Sequence, residues 1–317
     1  MLSRRRFLTG MATGMAGSLR LNSSTVTIPA ITPVRFDVPK HACDCHVHAF
    51  DPHRFPFAAS RTYTPESATA AQLLAMHRAV HVSRVVIVQP SVYGTDNSCI
   101  LDAIKQYGSG ARGIAVLPSE VSSTTLDNME RTGIRGVRIN LGTGANTSLD
   151  DARYRFNSAI EQIGARKWHV QLYASLPIIA GLTELVLASP VPVVFDHFGG
   201  AKAALGLHQP GFDKLLEVLR SGKGYVKISG AYRASDKPPD YPDVMPLAQA
   251  LIEANPNRIL WGSDWPHPDT GAGRKPSDVS PLLRIDDGHL LNLLATWVPD
   301  AALRNMILVE NPATLYR

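Results

Sequence analysis

Residues 169–196 read HVQLYASLPIIAGLTELVLASPVPVVFD, and this stretch decides the fold. A short apolar run, His169–Ala174, is followed by a helical stretch over Ile178–Ala188 and then by a second run, Val191–Asp196. The two runs are near-continuous in apolar and β-branched residues. That is the pattern of strands buried on both faces, which parallel sheets require. The helix between them supplies the crossover that joins two parallel neighbours.

Working outward, the same unit repeats in both directions. Strand-like runs precede it at His41–His48, Arg84–Gln89, Arg112–Leu117 and Gly136–Asn140, and follow it at Gly224–Ser229 and Arg258–Gly262, eight in all. Helical stretches over Ala70–His81, Asn97–Tyr107, Ser122–Thr132, Asp151–Arg166, Phe212–Ser221, Pro242–Ala254 and His289–Trp297 fill the intervals. Eight such units favour a closed (β/α)8 TIM-type barrel of α/β class over an open doubly wound sheet. No Gly-x-Gly-x-x-Gly follows the first run, which argues against a dinucleotide-binding half. The chain of 317 residues suits one such barrel, expected over 41–317. Pro29, Pro33 and Pro39 punctuate a linker over 29–40.

The first 28 residues carry Arg4-Arg5-Arg6-Phe7-Leu8 and a small-residue apolar run, which resembles a twin-arginine export signal and implies a periplasmic location; the alternative is a basic start without export and a cytoplasmic protein. The formal charge of +5 falls to +2 without those three arginines (5 − 3), and no basic stripe interleaves with aromatics. Nucleic acid is therefore not an expected partner. After residue 30 no run of ~18 apolar residues appears, so no stable membrane insertion is expected. Cys43, Cys45 and Cys99 are odd in number, and the first two are too close in sequence to bridge comfortably, so no disulfide framework is expected.

In a barrel of this kind the catalytic groups sit at the C-terminal ends of the strands. The first run ends Cys45-His46-Val47-His48, and alternation sends His46 and His48 to one face with Cys45 and Val47 on the other. Paired imidazoles there can ligate a metal or donate to a polarised carbonyl; alone, they equally suit two histidines at the solvent edge. The sixth run ends Phe195-Asp196-His197 before Phe198-Gly199-Gly200, which leaves His197 at the mouth. The eighth is followed by Ser263-Asp264-Trp265, and a carboxylate flanked by tryptophans needs a partner to offset its desolvation.

His-x-His on strand one, His on strand six and Asp on strand eight resemble the amidohydrolase superfamily. Asp44-Cys-His-Val-His-Ala-Phe-Asp51, Val88-Gln-Pro-Ser-Val-Tyr-Gly-Thr-Asp-Asn97, Gly136-Val-Arg-Ile-Asn140, Phe195-Asp-His-Phe-Gly-Gly200 and Trp261-Gly-Ser-Asp-Trp-Pro-His267 narrow the likeness. Together they resemble the amidohydrolase-related branch of 2-pyrone-4,6-dicarboxylate lactonases, sugar-acid lactonases and a galactarolactone isomerase, over residues 40–317.

Two-metal members of the superfamily carry a bridging Lys or Glu on strand four and a His on strand five. The matching positions here are Arg138 and Tyr173. Arginine cannot lose its proton and does not ligate a cation, so a binuclear centre is not expected. The resemblance implies a reaction with no cofactor, in which Asp264 takes a proton from water while His46, His48 and His197 donate to the lactone carbonyl. One Zn2+ on the same four residues is the alternative. Arg138 and Arg233 suit capture of a substrate carboxylate, with Ser91 and Tyr173 adding neutral hydrogen bonds. Each also has a plain structural use, Ser91 as the cap of the turn after Pro90.

The pyrone-dicarboxylate enzymes carry further basic residues shortly after Arg-x-Asn on strand four. Here the chain reads Leu141-Gly-Thr-Gly-Ala-Asn-Thr-Ser148, with no basic anchor for a second carboxylate. A hydroxylated sugar-acid lactone suits that loop as well as a pyrone does. The expected function is hydrolysis of a small carboxylate-bearing lactone. Lactone isomerisation at the same site, a zinc-dependent decarboxylase and a non-catalytic acid-binding barrel are the rivals. A general base beside three histidines argues against the last, because binding an acid needs no base.

Overall fold

The computed structural model describes residues 31–143, 147–164, 166–270 and 273–317. Eight parallel strands form one sheet in sequential order: β1 (Cys43–Val47), β2 (Arg84–Val88), β3 (Ala111–Ala115), β4 (Ile134–Asn140), β5 (His169–Tyr173), β6 (Val193–Phe195), β7 (Gly224–Ser229) and β8 (Ile259–Gly262). Each expected run overlaps one of them. Between β1 and β8 the Val47–Trp265 bridge and two backbone bonds, Asp264 N to His46 O at 2.9 Å and His48 N to Trp265 O at 2.8 Å, draw the sheet into a TIM-type barrel.

The principal helices alternate with the strands: α1 (Ala70–Ala79), α2 (Ser98–Tyr107), α3 (Ser123–Thr132), α4 (Leu149–Ile163), α5 (Leu176–Ala188), α6 (Phe212–Arg220), α7 (Met245–Ala254) and α8 (Asp287–Trp297). Local chemistry sets their ends. Thr69 and Gln72 form a capping box on α1, and Ser122 and Ser148 cap α3 and α4. Helix α5 begins at Leu176 rather than Ile178, because Pro177 in the first turn has no N–H to leave unsatisfied. Helix α4 stops at Ile163, where Gly164 takes φ +56°.

Two hydrophobic layers result. The larger lies between strands and helices. Leu215 and Val218 of α6 are fully buried there, each worth ~1.5–3 kcal/mol over exposure. The smaller fills the barrel's interior with Cys43, Cys45, Val86, Val88, Ile114, Val194, Tyr225 and Leu260, plugged by Leu315 and Tyr316. The three cysteines are free and buried. Above this apolar floor the interior turns polar.

The segment preceding the barrel lies against α8. Thr32 N donates to the α8 cap Asp286 at 3.0 Å, and Arg35 N donates to Asn292 at 2.7 Å. The expected signal at 1–28, and residues 29 and 30, lie outside the described residues. Among the described residues no helix is long and apolar enough to cross a membrane.

Candidate active site

Strand β1 departs from strict alternation. Cys43 and Cys45 face the interior, so a regular pleat would send His46 outward. The β1–β2 ladder shifts register between Asp44 and Val47, and His46 also turns inward, its Nδ1 3.2 Å from Lys227 Nζ. Val47 packs in the outer layer as expected, whereas Cys45 shares the inner side with His46. Gly262 on β8 makes this possible: a Cβ there would stand 2.8 Å from His46 Cβ and 2.9 Å from its backbone N.

The barrel brings His46, His48, His197 and Asp264 to one mouth. Their Nε2 atoms lie 3.7, 3.7 and 3.9 Å from Asp264 Oδ1. The backbone is held in the left-handed region at His197 (φ +49°), Phe198 (φ +55°) and Asp264 (φ +66°). For residues with a Cβ that conformation costs of order 1 kcal/mol each, and such positions concentrate where a side chain must be aimed.

The two oxygens of Asp264 differ. Oδ2 accepts from Tyr232 Oη at 2.6 Å and from Arg233 Nε at 2.5 Å. Oδ1 is buried and accepts no hydrogen bond from any described residue. Burial works to raise the Asp264 carboxyl, but Arg233 foremost, and the imidazoles, hold it well below the usual carboxylate range. Burial also pushes His48 and His197 down to about 4, and pushes His46 well below its ordinary value. Neutral imidazoles add little charge, so at neutral pH Arg233 is the standing support of the carboxylate.

His48 Nδ1 lies 2.8 Å from the carbonyl of Val88. A carbonyl only accepts, so the proton of the neutral ring is on Nδ1 and a lone pair on Nε2 faces the site. His197 Nδ1 faces Ser229 Oγ at 3.0 Å, and its ring meets the edge of Tyr173, 5.4 Å between centroids.

Arg138 is buried on β4. Its Nη1 donates to Gln89 O at 3.3 Å, its Nε lies 3.5 Å from Asp196 Oδ2, and its guanidinium lies 5.5 Å from the Tyr173 ring centroid. Arg138, Tyr173, Ser91 and Arg233 all line the cleft at the mouth, with Tyr63 and Asn140. Arg233, expected from the sequence to capture a substrate carboxylate or else to be a surface cation, is paired with Asp264. The rim adds Thr143 and Thr270. Residues 144–146 of the neutral loop after β4 lie outside the description.

Sequence reasoning passed over three buried polar groups, Lys227, Gln171 and Asp196, and the part-buried Tyr232, beneath and beside the site. Lys227 Nζ donates to Gln171 Oε1 at 2.7 Å and lies 3.4 Å from Asp196 Oδ1. Gln171 Nε2 donates to Asp196 Oδ2 at 3.1 Å, and Tyr232 holds Asp264. A lysine amid the apolar run Gly224–Ser229 was the visible signal, since a fully buried ammonium demands partners.

His46, His48 and Asp264 offer ligand atoms within 4.8 Å of one another, and so do His46, Asp196 and His197. By atom type and spacing this donor set can hold at most one divalent ion; Arg138 and Tyr173 give no ligand pair for a second. A wider hollow of about 460 Å3 opens at the other end of the barrel beside Arg166, Lys167, Trp168 and Tyr225, but its lining holds neither histidine nor carboxylate.

Comparison with known proteins agrees with this arrangement. The profile of the family described as Amidohydrolase matches residues 43–317. The chain is 35% identical to a 4-sulfomuconolactone hydrolase of Rhizobium radiobacter, over 90% of this chain and 92% of that one. It is 34% identical to a 2-pyrone-4,6-dicarboxylate hydrolase of Comamonas testosteroni, over 89% and 92% respectively. A crystal structure from Pseudomonas putida, 33% identical, superposes with a TM-score of 0.74 over 88% of this chain and 98% of that one. The chain is a member of the amidohydrolase family, an enzyme related over most of its length to hydrolases of lactones.

Proposed function

We propose that this barrel hydrolyses a lactone bearing a carboxylate, with Asp264 as the general base that takes a proton from water. One observation carries the reading: Asp264 Oδ1 is buried, accepts no hydrogen bond from the described residues and stands 3.7–3.9 Å from three imidazole Nε2 atoms. An ionised oxygen so placed can bind a water and accept its proton. Arg233 and Tyr232 fix the carboxylate through Oδ2 and leave Oδ1 for chemistry. His197 aims Nε2 at the same space to donate to the oxyanion, and the His46 and His48 Nε2 atoms, which face each other at 3.3 Å without substrate, turn to it when it binds, His46 donating to the oxyanion and His48 accepting from water or a substrate hydroxyl. Arg138 takes the substrate carboxylate, with Ser91, Tyr173 and the neutral rim on the rest of the ring.

The reading needs no metal. Among the described residues the carboxylates paired with Lys227, Arg138 and Arg233 are Asp196 and Asp264, so three cations meet two carboxylates before any ion enters. A dication would add repulsion where a monoanionic substrate relieves it. Were an ion bound, His46, His48, His197 and Asp264 would hold it, and it would polarise the lactone carbonyl.

The test is a panel of aldonic, aldaric and pyrone lactones, followed by proton release, with the product analysed after reaction in 18O-water. The proposal expects acid release and one 18O in the product carboxylate for carboxylate-bearing lactones. A rearranged lactone without label would instead show an internal hydroxyl as the nucleophile.

A further inference from the structure

The placement of two protons is legible beneath the site. The Lys227 side chain is wholly buried, and its Nζ donates to Gln171 Oε1 at 2.7 Å and lies 3.2 Å from His46 Nδ1, facing Asp196 Oδ1 at 3.4 Å. An ammonium only donates, so in the Lys227–His46 hydrogen bond Nδ1 is the acceptor and carries no proton. The proton of the neutral His46 ring is then on Nε2. At the far end His48 Nδ1 donates to Val88 O at 2.8 Å, which leaves His48 Nε2 bare. The two Nε2 atoms stand 3.3 Å apart, a distance and direction that suit one N–H facing one lone pair. Lys227, His46, His48 and Val88 form a single chain of donors running one way, and both ends demand the same direction.

The competing arrangement fits less well. Asp196 Oδ1 lies 3.1 Å from His46 Nδ1, close enough to claim a proton there, yet it makes no hydrogen bond of acceptable geometry. A proton on Nδ1 would also face the Lys227 ammonium and leave two bare nitrogens opposed at Nε2.

We propose that Lys227 is a positioning residue that holds His46 in its Nε2–H form, making His46 and His48 a donor–acceptor couple instead of two metal ligands. A cation needs both lone pairs, so the ion-binding form requires the His46 proton to move to Nδ1, against Lys227. The use made of the His46 N–H rests on the lactonase reading. The position of the proton does not, because it is read without substrate.

The experiment is 15N NMR of protein labelled at histidine, with His46 assigned by comparison with His46→Asn, on wild type and Lys227→Met. A parallel titration with Zn2+ alone reads metal affinity. Wild type is expected to show His46 protonated at Nε2. Lys227→Met is expected to move that proton to Nδ1 and to tighten Zn2+ binding at least tenfold. His46 protonated at Nδ1 in wild type overturns the proposal, as does a Lys227→Met protein whose tautomer and Zn2+ affinity are unchanged. The wild-type spectrum decides even where the variant does not fold. Inactivity toward every lactone would defeat the functional reading and leave this result intact.

Discussion

The backbone amide of Asp264 donates to the carbonyl of His46 at 2.9 Å, so the proposed base and one of its imidazoles are joined through the seam that closes the barrel. Asp44 secures the same seam from outside. Its Oδ1 accepts from the amides of His46 and Ser263 at 3.2 and 3.0 Å, and its Oδ2 faces His77 Nε2 at 3.2 Å. Closing the sheet and aiming the site are therefore one structural event.

Asp44→Ala follows from that arrangement. It strips two buried amides of their acceptor, and each orphaned group costs ~1–3 kcal/mol. Thermal unfolding should shift down, and kcat should fall more than KM rises, because Asp44 meets no substrate. Unchanged kcat in a destabilised protein would separate the seam from catalysis.

Asp264→Asn keeps the shape and removes the basicity. Turnover should fall by ~10²–10⁴, the usual worth of a general base, while binding of the acid lactone persists. Arg233 then loses its charge partner, so denaturant unfolding should also show a loss of ~3–5 kcal/mol, as for a broken buried pair. Full activity in Asp264→Asn would remove the base from the mechanism.

The two arginines should separate kinetically. Arg138→Met should weaken acid lactones by ~2–5 kcal/mol and barely affect neutral ones. Arg233→Met should lower kcat for both, because Arg233 Nε holds the carboxylate of Asp264, the proposed base. Equal losses on charged and neutral lactones for Arg138→Met would mark that residue as structural.

Much of this was readable beforehand because the strands are buried on both faces and announce themselves as apolar runs. His46, His48, His197 and Asp264, which the barrel gathers at one mouth, stood out as candidates because they stand where such runs end. The break in alternation at His46 was not legible, since it comes from a register shift against β2 and from room left by Gly262. Nor was the pairing of Arg233 with Asp264, or the chain from Lys227 to His46: sequence shows that a buried charge needs a partner, not which one. Those contacts span 31 and 181 residues.

The depressed histidines set the pH behaviour. Burial holds His48 and His197 at about 4 when folded, against ~6.5 unfolded. Between those values the unfolded chain binds more protons, so stability is full above ~6.5 and declines as pH falls toward 4, by about 3 kcal/mol per histidine. Activity should stay flat from neutral pH down to about 5 and fall near 4. An acid limb at 6 to 7 in kcat/KM would contradict the neutral-imidazole site.

Asp264, set by Arg233, is proposed to activate water with no metal beside it, and this is open to direct measurement. It is tested most directly by the rate of ring opening of a carboxylate-bearing lactone, measured on one preparation before and after exhaustive chelation, with metal content determined in both. The same rate in both samples, with far less than one metal per chain, is the expected result. About one zinc per chain, whose removal abolishes turnover and whose return restores it, would contradict it.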